Sequence, residues 1–306
     1  MGTPEFAVAS LDALVKAGCT IAGVITAPDK PAGRGLLLQQ SAVKKYAVEH
    51  GLHVLQPVKL KDPEFLEELK KLNADLQIVV AFRMLPEQVW NMPPMGSVNL
   101  HGSLLPQYRG AAPINWAVIN GEPETGVTTF KLKHEIDTGD ILLQERFPIG
   151  ENDTAGTIHD RMKEIGAALL VKTVKGLAAG SLAETPQPVT TGSAHPHLKH
   201  APKIHTDTCR INWSQPVNTV YNLVRGLSPY PGAFTVLNEK MLKIFRAEKE
   251  TGFPRITEGD YETDGKTFLK FACTDGYLRL LEIQLEGKKK MEITEFLRGY
   301  RFNENQ

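Results

Sequence analysis

Apolar residues at helical spacing open the chain: Phe6, Val8, Leu11, Leu14 and Val15 recur and stop before Gly18, which predicts an amphipathic helix ended by glycine. A strand is expected over residues 20–26, then a loop over 27–40 punctuated by Pro and Gly. Helices over 42–50 and 63–72 bracket an extended stretch at 53–56. Residues 76–82 (LQIVVAF) are uninterrupted and short, the signature of a strand buried on both faces. Residues 98–101 continue in strand alternation, 113–119 read as a helix with proline in its first turn, 127–132 and 141–147 as strands, and 157–179 as a long helix. Helix alternating with strand predicts an α/β domain: a mostly parallel sheet covered by helices on both faces.

Periodicity stops between Gly180 and Pro202, where Pro186, Pro188, Pro196 and Pro202 stand among Thr, Gly and Ser. The chain is therefore divided into a first domain at 1–182, a linker at 183–201 and a second domain at 202–306. In the second domain Ser214 is placed to cap a helix running to Arg225, and short strands follow over 233–237, 242–247, 267–273 and 277–285. Asn238-Glu239 and Asp275-Gly276 are expected as turns, so this domain reads as a small antiparallel barrel or sandwich. The first domain has one irregularity. A doubly wound sheet opens with a strand that feeds its first helix, whereas here a helix begins within five residues of Met1, and the expectation is that the central first strand lies upstream.

A length of 306 residues suits two domains. Lys plus Arg balances Asp plus Glu at 35 each, so a nucleic-acid partner must be met by a local patch and not by a global field. Cys19, Cys209 and Cys273 are scattered, odd in number and without metal-ligand spacing, and the amino terminus has no signal-peptide pattern; a cytoplasmic protein is expected.

Candidate chemistry centres on Ser97-Val98-Asn99-Leu100-His101-Gly102-Ser103-Leu104-Leu105-Pro106. Strand alternation turns the Asn99 amide and the His101 imidazole to one face, at the carboxyl end of a strand, where open α/β sheets bind ligands. An amide donor beside an imidazole suits acyl-type transfer: one holds a developing oxyanion and the other moves a proton. A third group should orient the imidazole, and the turn Glu135-Ile136-Asp137-Thr138-Gly139-Asp140 offers two carboxylates, Asp137 and Asp140, between which the pattern does not choose. Arg34 between Gly33 and Gly35, and Arg109 just before the helix at Pro113, are placed to receive anions. His195, His197 and His200 lack a carboxylate or Cys framework, so no metal is expected. Lys288-Lys289-Lys290 reads as a solvated hairpin end, with a nucleic-acid face as the alternative.

Taken together, Asn99-x-His101 with Ser103-Leu104-Leu105-Pro106, the run Arg109-Gly110-Ala111-Ala112-Pro113-Ile114 and Asp137-Thr138-Gly139-Asp140 resemble the 10-formyltetrahydrofolate-dependent formyltransferases. The opening Gly2-Thr3-Pro4-Glu5-Phe6-Ala7, the Pro31-Ala32-Gly33-Arg34-Gly35 loop, and Ala201-Pro202-Lys203-Ile204 with Ile211-Asn212-Trp213-Ser214 are similar to the members acting on charged initiator tRNA. The resemblance implies a Rossmann-like catalytic domain followed by a β-barrel domain like an OB-fold, with the acceptor arm of initiator methionyl-tRNA along both; separately, a monomer is expected. It implies catalytic roles for Asn99, His101 and Asp137, folate binding by Ser103, Leu104, Leu105 and Pro106, and engagement of the tRNA acceptor end by Arg34, with 10-formyltetrahydrofolate as formyl donor and no metal. By analogy it selects Asp137 over Asp140. A member acting on a nucleotide-linked amino sugar is the alternative. A dinucleotide-dependent oxidoreductase would need G-x-G-x-x-G where the chain has Gly2-Thr3-Pro4. The chain departs from the family pattern at Leu36-Leu37-Leu38-Gln39-Gln40, in place of a more basic stretch, and at His134-Glu135, in place of a Gly-containing pair.

Overall fold

The computed structural model describes residues 1–32, 37–188 and 198–302. Arg34, His195 and His197 lie outside the described residues. The chain forms two compact units that interleave: the first takes Met1–Gly110, Gly126–Phe147 and His159–His200, and the second takes Ala111–Thr125, Pro148–Ile158 and the chain from Ala201. Beside the stretches on either side of the expected linker, the second unit thus also takes in residues 111–125 and 148–158.

In the first unit the central sheet has four strands in sequence order, β1 (Gln77–Val80), β2 (Ser97–His101), β3 (Glu124–Lys131) and β4 (Ile141–Pro148). β1 and β2 run parallel with Val79 opposite Asn99, whereas β3 joins β2 antiparallel with Phe130 opposite Asn99 and Thr128 opposite His101. The Rossmann-like parallel arrangement therefore gives way to an antiparallel extension, a common outcome in α/β sheets. Gly2 bridges Val80 in parallel, with the Gly2 N–H donating to the Ile25 carbonyl and the Val80 N–H to the Met1 carbonyl. Val24–Ile25 pairs in parallel with Val54–Leu55, leaving the strand expected over 20–26 much shorter. Helices at Glu5–Lys16, Ala42–Glu49, Pro63–Lys71, Pro113–Ile119 and Ala155–Ala178 match the apolar periodicity to within two residues at their ends. Ser41 and Asp62 cap two of them by accepting from the N–H groups of Lys44 and Glu64.

The second unit is a curled antiparallel half-barrel, whose strands β5 (Ala233–Leu237), β6 (Lys240–Thr251), β7 (Tyr261–Thr263), β8 (Leu269–Ala272), β9 (Gly276–Leu285) and β10 (Met291–Glu292) lie in the order β5-β6-β9-β8-β7, with β10 on β9. Its core includes Leu242, Ile244, Leu269, Leu278, Leu280 and Ile283 beneath the helix Val217–Gly226. That helix begins two residues later than a cap at Ser214 implies, and Ser214 does not cap it: the Val217 N–H donates to Asp275 Oδ1 at 2.7 Å, from the turn between β8 and β9. A local cap in the sequence is thus replaced by one delivered across the fold. Arg225, 7% exposed, donates to the carbonyls of Gly150 and Asp153 and ties the 148–158 segment into this unit. Among the described residues no helix is long and apolar enough to cross a membrane.

Candidate active site

β2 ends at His101 with Val98 and Leu100 sealed in the core at 0% and 4% exposure, so the alternate positions Asn99 and His101 share the other face. Asn99 is only partly buried, and among the described residues its side-chain amide makes no hydrogen bond. His101 is 7% exposed and held from both sides. Its Nε2 lies 2.9 Å from the Tyr108 carbonyl oxygen, which can only accept, so Nε2 carries the hydrogen and the neutral ring presents Nδ1 as a lone pair. Nδ1 faces Asp137 Oδ2 at 3.8 Å. That separation is too long for a hydrogen bond, yet close enough for the carboxylate to attract a ring that has taken up a proton.

The two carboxylates of the turn have different partners. Asp137, 10% exposed, points at the imidazole and accepts from the Gly110 N–H at 3.0 Å, while Asp140 pairs with Lys133 Nζ at 2.7 Å. Between them Gly139 is pressed against the backbone of β3, and a Cβ there would stand 1.6 Å from the Lys131 carbonyl oxygen, a position no side chain can occupy. The Asp-Thr-Gly-Asp run therefore owes its glycine to close approach.

The loop after β2 is organised chiefly by bonds to its main chain. Ser103, fully buried, donates to the Gln107 carbonyl, and Thr128 Oγ1 donates to the Ser103 carbonyl while accepting from the Leu105 N–H. Gln144 Nε2 donates to the Leu105 carbonyl at 2.8 Å. Of the residues expected to bind folate, Ser103 and Leu105 are buried, while Leu104 and Pro106 are half-buried, with the Leu104 side chain lying against Gly126 of β3. The Leu105–Pro106 bond is cis.

Three groups that complete the site carry no motif that marks them. Two are main-chain groups, the Tyr108 carbonyl and the Gly110 N–H, which any sequence possesses. The third is Gln187, 8% exposed, which lies within the stretch expected to be a linker. Its Nε2 donates to the carbonyls of Asp137 at 3.0 Å and Gly139 at 2.7 Å, and its Oε1 accepts from Arg109 Nη2 at 2.6 Å and Nε at 3.1 Å. Arg109, expected to receive an anion, is engaged with this amide; burial lowers its pKa while the Asp137 and Glu135 carboxylates pull it back up. Thr185 exchanges backbone hydrogen bonds with Ile141, and the Lys199 carbonyl accepts from the Tyr108 N–H at 2.7 Å. The described parts of 183–201 are therefore bonded into the first unit, the proline spacing reflecting an extended strap and not a free tether.

Among the described residues there is no cluster of His, Cys, Asp or Glu that could hold a metal ion. Lys290 pairs with Glu282 at 2.8 Å and lies over the Phe245 ring.

Comparison with known proteins adds to this geometry. Residues 1–174 match the Formyl transferase family and residues 203–301 match its C-terminal domain. A methionyl-tRNA formyltransferase of Parabacteroides distasonis is 57% identical, covering 98% of this chain and 94% of that protein. One of the same name from Phocaeicola vulgatus is 54% identical over 100% and 96%. Among solved structures, an N-formyltransferase from Helicobacter canadensis in complex with folinic acid and dTDP-3-aminofucose superposes with a TM-score of 0.67, covering 95% of this chain and 97% of that one. At 22% identity this last likeness speaks for the fold alone.

Proposed function

The chain belongs to the formyl transferase family, and from that premise we propose that it transfers the formyl group of 10-formyltetrahydrofolate to the α-amino group of methionine carried by initiator tRNA. The observation that carries the choice of acceptor is the reach of the likeness: 57% identity over 98% of the chain to a relative named for methionyl-tRNA, against 22% to the neighbour holding a nucleotide-linked amino sugar.

The described residues fit this chemistry at two points. Asn99 offers an amide with no hydrogen-bond partner among them, and His101 offers a lone pair at Nδ1 whose opposite nitrogen is fixed on a carbonyl. A free α-amine titrates at about 7.7 to 8.0 and an adjacent ester lowers that, so much of the nucleophile is already neutral near pH 7. Attack forms a bond between the amine nitrogen and the formyl carbon and moves the carbonyl electron pair onto oxygen, where Asn99 Nδ2 donates to it. His101 Nδ1 takes the proton released by the amine, and the Asp137 carboxylate stabilises the charged ring. The bond from the formyl carbon to the folate nitrogen then breaks, and the proton passes to that nitrogen, leaving His101 neutral. In this arrangement Tyr108 orients the imidazole and Asp137 supplies charge, a division of labour that places the base at Nδ1.

Arg34 is assigned here to the acceptor end of the tRNA, and Ser103 to Pro106 to the folate, the half-buried Leu104 and Pro106 being the side chains that meet it. The protein is assigned as a cytoplasmic monomer, with one catalytic domain and one tRNA-binding domain. Supplying 10-formyltetrahydrofolate with charged initiator tRNA, charged elongator tRNA or a nucleotide-linked amino sugar tests the reading. Formylation of the initiator in preference to the elongator is expected, and formylation of the amino sugar alone would overturn the acceptor.

A further inference from the structure

Asp137 stands at φ +56°, in the left-handed region where a residue with a side chain is strained, so its carboxylate keeps its aim only while the surrounding bonds hold the turn. Backbone contact at Gly139 braces the turn on the β3 side. On another side Gln187 closes it, with two donors on the carbonyls of Asp137 and Gly139 and two acceptances from Arg109. Every hydrogen-bonding position of that amide is filled, and its near-complete burial leaves water a poor substitute for any of them. Arg109 lies between the residue whose carbonyl fixes His101 and the residue whose N–H fixes Asp137. One side chain thus joins both halves of the site: the 108–110 segment through Arg109 and the 137–139 turn through its two carbonyls.

We propose that Gln187 is a positioning residue for the reaction, fixing the Asp137 carboxylate against His101 by clamping the 137–139 turn to Arg109. It lies between the two stretches that match the family, 1–174 and 203–301, so the strap that follows the first of them completes the site. The proposal rests on the reading of His101 and Asp137 given above.

Gln187→Glu keeps the shape of the side chain and its acceptors toward Arg109, removes both amide donors, and sets a carboxylate against two carbonyl oxygens. Misplacing a reacting group by about an ångström can cost about a hundredfold. In the full chain, with 10-formyltetrahydrofolate and charged initiator tRNA, kcat of Gln187→Glu should fall about tenfold or more while KM for either substrate stays within about twofold. Because Gln187 acts through Asp137, Gln187→Glu combined with Asp137→Asn should be no slower than Asp137→Asn alone. Unchanged kcat in Gln187→Glu, a loss carried in KM, or a double variant that adds both losses in full would overturn the proposal. Should Gln187→Glu not unfold cooperatively, Gln187→Asn, with the same groups on a shorter stem, carries the same comparison. Normal turnover by Asp137→Asn would instead sink the reading of the His101–Asp137 pair, and this proposal with it. A slow Asp137→Asn beside a normal Gln187→Glu overturns the proposal alone.

Discussion

Two segments grip the carboxylate turn, and they do so by different means. Residues 108–110 use main-chain groups, the Tyr108 carbonyl on His101 and the Gly110 N–H on Asp137, together with the Arg109 guanidinium on Gln187. Residues 185–188 use one side chain, Gln187, on two carbonyls of the turn. A main-chain grip tolerates changes of side chain but demands particular torsions, and Tyr108 at φ +60° and Gly110 at φ +125° show that demand. A side-chain grip tolerates torsional drift in its own segment but demands the four hydrogen-bonding positions of one amide. The site is therefore sensitive to backbone geometry on one side and to residue identity on the other.

Asn99 is held by neither segment, and its variant should show the largest effect. Removing one oxyanion donor typically costs about a hundred- to a thousandfold in kcat. Asn99→Ala is expected to lose that much with KM for the formyl donor largely kept, because the amide acts on charge that develops during attack. Steady-state kinetics decide, and near-normal turnover would remove Asn99 from the mechanism and leave the gripped pair to account for the rate. Next in size is Gly110→Ala, which tests the main-chain grip. At φ +125° a Cβ is strained whatever space surrounds it, so the peptide must rotate and carry its N–H away from Asp137. A fall in kcat of about tenfold or more is expected, with a small change in unfolding midpoint. Unchanged kcat would mean that Asp137 keeps its aim without the Gly110 N–H, and the comparison would tilt toward Gln187.

The difference between the two grips also explains what a reader of the sequence can find. Asn99 and His101 are legible because strand alternation places polar residues against Val98 and Leu100, and the 3.6-residue periodicity of the helices comes from the same local physics. The second unit reads correctly as antiparallel strands, although the one expected over 242–247 runs twice as far, over Lys240–Thr251, and Asn238 and Glu239 have the positive φ values that a tight hairpin needs. What is hidden is non-local. The true helix cap at Asp275 is 58 residues from Val217, and Gln187 is 50 residues from Asp137. The first of these pairs replaces a plausible local signal at Ser214, and the second has no signal, since a glutamine between two prolines looks like a linker. The interleaving of the units is hidden for the same reason: segments 111–125 and 148–158 join the second unit through contacts such as those of buried Arg225, made after a long excursion of the chain.

The smallest expected effect comes from the other carboxylate of the turn and sharpens the comparison most cleanly. Asp140 and Asp137 are three residues apart, similarly shielded at 15% and 10% exposure, and nearly equivalent by sequence pattern. Asp140 spends its carboxylate on Lys133, whose side chain is 51% exposed, and such half-solvated pairs contribute about 0 to 1 kcal/mol to stability. The Lys131 N–H bonds to the Asp140 carbonyl oxygen, a main-chain contact that substitution of the side chain leaves in place. Asp140→Asn should therefore leave kcat and KM within about twofold and lower stability by less than about 1 kcal/mol, read by denaturant unfolding. A kinetic loss as large as that of Asp137→Asn would show that the turn acts as one electrostatic unit. In that case neither grip would be aimed at a single carboxylate, and the distinction between them would lose its meaning for the reaction.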